Sequence, residues 1–266
     1  MLFFLFGDRA DARVLPIATV RHGKLAPIAL DAAGWRDFDR LYFSPTSQLR
    51  LYANGNAAGD ANIRRGMWSE KPALYALPGC RTLRPLAAAS PLEASRDVVM
   101  LELLATSDPL PPAPTRPHSG PADLDSARVL AARLGQHEGL TNAARADLDL
   151  NVRAVHTGAS SHPTLVASYQ ERGSGGPQAR HLFVLGDWSE AAHGYVQSYL
   201  FVADSTHEFR RFIDHADLTG DGIDEIAVEG WRSEGDSFLA MLRWDGTRWR
   251  EIVRGPSSWC ADPAAE

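Results

Sequence analysis

From residue 148 onward, short apolar runs alternate with Gly-, Asp- and Ser-rich steps. This pattern predicts strands over 148–155, 163–169, 181–185, 195–202, 208–213, 223–229, 238–244 and 248–253. Trp244-Asp245-Gly246-Thr247 is a hairpin signal between the last two. The segment 1–108 is also β-rich in pattern. Within it, 17–20 and 25–28 flank the turn Arg21-His22-Gly23-Lys24, and 48–53 runs into Asn54-Gly55, with a second strand near 61–67. Further strands are expected at 73–77 and 98–104, although the latter fits a short helix on periodicity alone. The start, Met1-Leu-Phe-Phe-Leu-Phe6, is apolar but stops at Gly7-Asp8-Arg9. It is either a buried first strand or the remnant of an export signal.

Between the halves lies PLPPAPTRPHSGP, residues 109–121, with six prolines in thirteen positions. Such a segment forms neither a helix nor an interior strand and is expected to be an extended, solvated linker or a long loop. The expected organisation is a β-rich domain over 1–108, a Pro-rich linker over 109–122, and a helix plus sheet units over 123–266. The helix is short, capped by Asp123 or Asp125 and ending near Gln136, with Leu124, Val129, Leu130 and Leu134 on one stripe. The fold class is therefore mainly β, with blade-like antiparallel sheet units in the C-terminal part.

Those units repeat. Residues 156–169 align with 217–230 at a constant offset of 61, placing Leu165-Val166-Ala167 on Ile226-Ala227-Val228. Once a short deletion is allowed, a further strand ends at Gly186-Asp187-Trp188 in one copy and at Arg243-Trp244-Asp245 in the other. Each copy is then a sheet unit of about 60 residues, comparable with a propeller blade. Two copies cannot close a ring. Either the N-terminal part adds sheet or the pair stays open.

Composition changes the picture little. The chain of 266 residues is 44% hydrophobic and 23% charged, the proportions of a globular domain. Its 27 basic and 33 acidic residues give a net charge of −6 and no basic cluster, which argues against a nucleic-acid partner. No apolar run is long enough to span a membrane. Cys80 and Cys260 are two free thiols or one disulfide formed after export.

The most specific stretch is Asp217-Leu218-Thr219-Gly220-Asp221-Gly222-Ile223-Asp224-Glu225. Oxygen-bearing side chains stand at alternate positions, and glycines supply the backbone turns a tight cation loop needs. Asp217, Asp221 and Glu225 would supply charge to Ca²⁺, Thr219 a neutral oxygen and Ile223 its carbonyl. A helix-loop-helix calcium hand requires Glu at the twelfth position, where this chain has Val228 before a strand. The competing possibility is an Asp/Gly turn that needs no ion, against which stand four carboxylates crowded within residues 217–225.

DLTGDGIDEI resembles the D-x-[DN]-G-D-G-x-x-D-[IL] core of FG-GAP and VCBS-type repeats, the calcium loops of integrin-like propeller blades. Thr219 and Glu225 depart from the usual Asp or Asn and Asp. The resemblance implies a weak calcium site that staples a loop. In the upstream copy His156, Ser160 and Thr164 replace the three acids, so that loop should hold no metal.

No H-E-x-x-H, G-x-S-x-G or phosphate-loop motif occurs, and Gly173-Ser-Gly-Gly176 is expected to be a hairpin loop. The nine histidines are expected to be solvated or capping, and Trp231, Trp244, Trp249 and Trp259 to be mostly core. The functional expectation is a non-enzymatic, calcium-binding, extracytoplasmic β module that meets a protein or carbohydrate surface or serves the cell envelope. The alternative is a hydrolase with its site in the N-terminal part or the domain cleft. Convergence of His and Asp/Glu from distant segments in one cleft would favour the hydrolase.

Overall fold

The computed structural model describes residues 1–8, 12–68, 84–91, 100–141, 148–171, 181–203, 209–231, 236–258 and 260. Seven strands come from the first part of the chain: β1 (Leu2–Asp8), β2 (Ala12–Arg21), β3 (Lys24–Pro27), β4 (Gln48–Ala53), β5 (Asn56–Arg65), β6 (Ala87–Pro91) and β7 (Met100–Thr106). They pair in the order β1-β7-β4-β5-β6-β2, and β2 pairs back to β1, so six strands close a barrel with β3 added outside β2. Closure leaves these six without free edges.

Phe3, Leu5, Val14, Leu49, Leu51, Ile63, Ala87 and Leu101 fill the barrel interior. The alternate residues Leu2, Phe4, Leu15, Ile17 and Leu104 point outward but are also buried, against the C-terminal sheet. Burial on both faces explains the continuous apolar run at residues 2–6: it is the first barrel strand. The hairpins at His22-Gly23 (φ 49° and 69°) and Asn54-Gly55 (φ 51° and 75°) are left-handed two-residue turns, as their sequences predict. Residues 100–106 are strand, not helix.

Two helices are present where one was expected. The unpredicted α1 (Ala32–Tyr42) is capped by Asp31, whose carboxylate accepts from the Gly34 N–H at 2.7 Å. Its Trp35, Phe38 and Tyr42 pack beside Phe3, at the spacing of one helical face. The second, α2 (Pro121–His137), is longer than predicted and starts earlier. Gly120 is its cap, and Asp123 reaches back to accept the Gly120 N–H at 2.7 Å, so Asp123 sits inside the helix.

All eight C-terminal strands form: β8 (Leu148–Val155), β9 (Thr164–Glu171), β10 (His181–Ser189), β11 (Gly194–Val202), β12 (Phe209–Ala216), β13 (Glu225–Trp231), β14 (Ser237–Trp244) and β15 (Trp249–Ser257). They make two four-stranded antiparallel meanders, β8–β11 and β12–β15. The repeat is structural. The starts of β8 and β9 precede those of β12 and β13 by the same offset that aligns the two loops in sequence. The register then pairs Gly186 with Leu165 as it pairs Leu242 with Ile226, so the third strand keeps its place despite a shorter preceding loop.

The two sheets stack face to face through Val166, Phe183 and Leu185 against Phe212, Ile226, Val228 and Leu242. Each such fully buried aliphatic or aromatic side chain contributes about 1.5–3 kcal/mol. The pair stays open, and its two outer faces are covered by different elements. Helix α2 lays Ala127, Leu130 and Ala131 on the first sheet. The barrel covers Ala227, Leu239, Met241 and Val253 of the second. Two blades are thereby capped at both ends without closing a ring.

The proline-rich segment 109–120 has no helix or strand and is mostly exposed, as expected, and it is tied down at two points to form a strap. Leu110 packs into the barrel–sheet core, and its N–H donates to the Tyr52 hydroxyl at 2.7 Å. Proline keeps the strap extended, and Arg116 anchors its far end to the sheet stack. No helix among the described residues is long and apolar enough to cross a membrane. The expected strand at 73–77 lies outside the described residues, as do Cys80, the 173–176 loop, His207, Glu208 and Trp259.

Candidate functional site

The acidic loop joins β12 to β13, and the matching loop of the first copy joins β8 to β9 at the same end of the stack. The two loops touch: the Asp224 N–H donates to the Thr157 carbonyl at 2.8 Å. A Cβ on Gly158 would lie 2.6 Å from the Gly222 carbonyl, so glycine is required by space and by its φ of 88°.

Four of the five expected calcium ligands, the side chains of Asp217, Thr219, Asp221 and Glu225, have internal partners; the fifth, Ile223, bonds through its N–H and not through the expected carbonyl. The Asp217 carboxylate accepts from the N–H groups of Gly220 (2.6 Å), Asp221 (3.2 Å) and Gly222 (2.9 Å). Asp221 accepts from the Ile223 N–H at 3.0 Å and from Arg243 Nη2 at 2.8 Å. Glu225, only 1% exposed, accepts from the Leu218 N–H and the Thr219 hydroxyl, both at 3.0 Å. Arg243 Nε stands 3.6 Å from its carboxylate. Burial pushes Glu225 up to about 7 despite these donors. Burial also raises Asp221, but the Arg243 and Ile223 bonds outweigh it and hold that carboxyl below its ordinary value.

This donor set does not fit a calcium sphere as it stands. Ca²⁺ takes six to eight oxygens, whereas here the side-chain oxygens face N–H groups and a guanidinium lies beside two of the three acids. Among the described residues no group of three or more His, Cys, Asp and Glu is arranged to hold a metal.

A second constellation lies beside the loop. Asp214, His215 and Asp224 are all buried. Asp224 Oδ2 is 2.6 Å from His215 Nδ1, and its Oδ1 accepts from Arg116 Nη2 at 2.6 Å. Arg116 also donates to the carbonyls of His156 (2.5 Å) and Gly222 (3.0 Å), tying both repeat loops to the strap. Asp214 accepts from the Asn54 N–H at 2.8 Å and the His215 N–H at 2.8 Å, linking the barrel to β12. Burial raises its carboxyl above the ordinary value. Gly55 sits over the His215–Asp224 pair: a Cβ there would lie 2.9 Å from His215 Cε1 and 3.0 Å from Asp224 Oδ2.

Arg116, His215 and Asp224 border a cavity of about 600 Å³, whose wall also includes Asn54, Asn56, His118 and His156. Burial lowers His156 from its ordinary value, with Asp123 opposing and Arg116 adding to the effect. With its Nδ1 proton held by Asp224, His215 would present Nε2 as the basic nitrogen. Among the described residues the His215 side chain hydrogen-bonds to Asp224 alone. The expectation of solvated or capping histidines does not hold for His215, which is buried against Asp224, and the groups that enclose the pair, Gly55 and Arg116, are far away in sequence. The alternation of Phe212 and Asp214-His215 beside the loop was the available signal.

Of the C-terminal tryptophans, Trp249 is core and donates to Asp187 at 2.7 Å, Trp244 packs beside it, and Trp231 is exposed. Cys260 is disulfide-bonded; the chain's other cysteine, Cys80, lies outside the described residues.

Compared with known proteins, the chain matches no family model, and no curated protein or solved structure matches it at a significant level.

Proposed function

We propose that this chain is a non-catalytic, extracytoplasmic β module that binds a hydroxyl-rich ligand, such as the end of a glycan, in the cavity at the meeting of its two repeat loops. The observation that carries this reading is the pairing of charges in that cavity. Arg116 and Asp224 neutralise each other at 2.6 Å, so no net field is left to select an ion. Asn54, Asn56, His118 and His156 remain along the wall, and each can both donate and accept, which suits hydroxyl groups. The disulfide at Cys260 supports an oxidising, extracytoplasmic setting. Calcium forms no part of the reading, because the side-chain oxygens of Asp217, Thr219, Asp221 and Glu225 are already partnered.

Binding is tested by recording chemical shifts of the purified chain against a panel of mono- and oligosaccharides and, separately, peptides. Saccharide shifts centred on Asn54, Asn56 and His156, and lost in Asn56→Trp, are expected. Perturbations mapping elsewhere, or produced by peptides alone, would overturn the ligand assignment.

The hydrolase reading is favoured by one observation, the 2.6 Å His215–Asp224 pair facing a cavity. A carboxylate-oriented imidazole is the arrangement of a general base. Turnover of ester, phosphoester or glycoside probes that disappears in His215→Asn would replace the binding reading with this one.

A further inference from the structure

The acidic loop carries its own counter-ion. We infer that Arg243 stands in the place a divalent cation would take, so that the loop folds without metal and becomes a divalent-ion site only when the guanidinium is removed.

The geometry rests on two neighbouring strands. Glu225 begins β13, and Arg243 lies near the end of the adjacent β14. From there its Nη2 reaches Asp221 Oδ2 at 2.8 Å and its Nε approaches Glu225 Oε1 to 3.6 Å. Asp217 adds to the field that raises the guanidinium's pKa, behind the larger contributions of Asp221 and Glu225. All three loop acids therefore act on one cation. Their remaining demand is met by N–H groups of the loop.

The first repeat supplies an independent argument. The strand register places Thr164 where the second copy has Glu225, and Asp187 where it has Arg243. There the Thr164 hydroxyl donates to Asp187 at 2.6 Å. The same pair of positions thus forms a cross-strand link in both copies, with the acid moved from the loop end to its partner. In the first copy the three positions that match the loop acids are His156, Ser160 and Thr164, and the partner-strand position holds a carboxyl. A cation takes that position only in the copy whose loop is acidic. A metal and a guanidinium cannot both occupy the space between Asp221 and Glu225, because each would desolvate and repel the other.

The test is thermal melting of the full chain in chelator and in millimolar Ca²⁺, with Mg²⁺ in parallel, for wild type, Arg243→Gln and Arg243→Lys. Wild type should melt at the same temperature in both buffers. Arg243→Gln should melt about 5 °C lower in chelator and recover most of that loss with Ca²⁺. Arg243→Lys should stay close to wild type and insensitive to calcium. A saturable rise in wild-type melting temperature with Ca²⁺ would overturn the inference, even if the variants fail to fold. So would Arg243→Gln that melts like wild type in chelator, or one that is destabilised and gains nothing from Ca²⁺.

Discussion

The two repeats follow the same course with different chemistry. In the first, the Ser160 hydroxyl accepts from the His162 N–H at 3.2 Å; in the second, Asp221 accepts from the Ile223 N–H at 3.0 Å, at the equivalent positions. A hydroxyl and a carboxylate serve the same backbone turn. The volumes are exchanged as well. The first copy has Gly186 where the second has Leu242, and the missing side chain admits Leu130 of α2. The second has Gly230 where the first has Tyr169, and Phe238 fills that space. The repeat preserves the strand frame, while the equivalent face of each copy answers to its own neighbour: helix α2 for the first sheet, the first sheet for the second.

The largest effect should come from cutting the tie between the copies. Arg116→Leu removes the guanidinium from Asp224, 1% exposed, and leaves the His215 ring as its side-chain partner among the described residues. A loss of about 2–4 kcal/mol in denaturant unfolding is expected. An effect confined to a few tenths would show that the loops are held together without it.

Next come the two glycines that distinguish the sheets. Gly230→Ala would place a Cβ 2.3 Å from Phe238 Cζ, and Gly186→Ala one 2.1 Å from Leu130 Cδ2. Each should cost about 1–3 kcal/mol by overpacking. The Gly186 loss should be relieved by Leu130→Ala and the Gly230 loss should not, a contrast that a double-mutant cycle measures.

A pH difference separates the copies too. His181 opens β10, where the matching residue of β14 is Ser237. Its Nε2 accepts the Arg210 N–H at 2.8 Å, and burial lowers its pKa to about 4 from an ordinary 6.5. The unfolded chain therefore takes up this proton first as pH falls. The stability that His181 provides is complete above pH 6.5 and is lost between 6.5 and about 4, by about 3 kcal/mol at most. His181→Gln should flatten the wild-type stability profile over that window; parallel profiles would refute the assignment.

The smallest contrast lies in the loop caps. Asp217→Ala removes an acceptor for three N–H groups and should cost about 1–2 kcal/mol. His156→Ala, at the matching position, should stay within about 0.5 kcal/mol.

What could be read along the chain was what neighbours in sequence decide. Short apolar runs separated by Gly, Asp and Ser steps located all eight C-terminal strands, and His22-Gly23 and Asn54-Gly55 located their turns, because strand propensity and positive φ are local properties. The internal repeat was legible for the same reason. Helix α1 escaped notice although Asp31 caps it and Trp35, Phe38 and Tyr42 carry its face, so this local signal was available and not read.

Tertiary structure alone decided which groups meet. The spacing of Asp217, Asp221 and Glu225 suits an ion, yet their partners are loop N–H groups and Arg243 on the next strand. The buried His215–Asp224 pair depends on Arg116 in the strap and Gly55 in the barrel, both remote from Asp224 along the chain. The apolar residues 2–6 could be placed only once both faces of β1 were covered. Charge pairing and burial are set by distance in space, and a linear pattern carries that information only close to each turn.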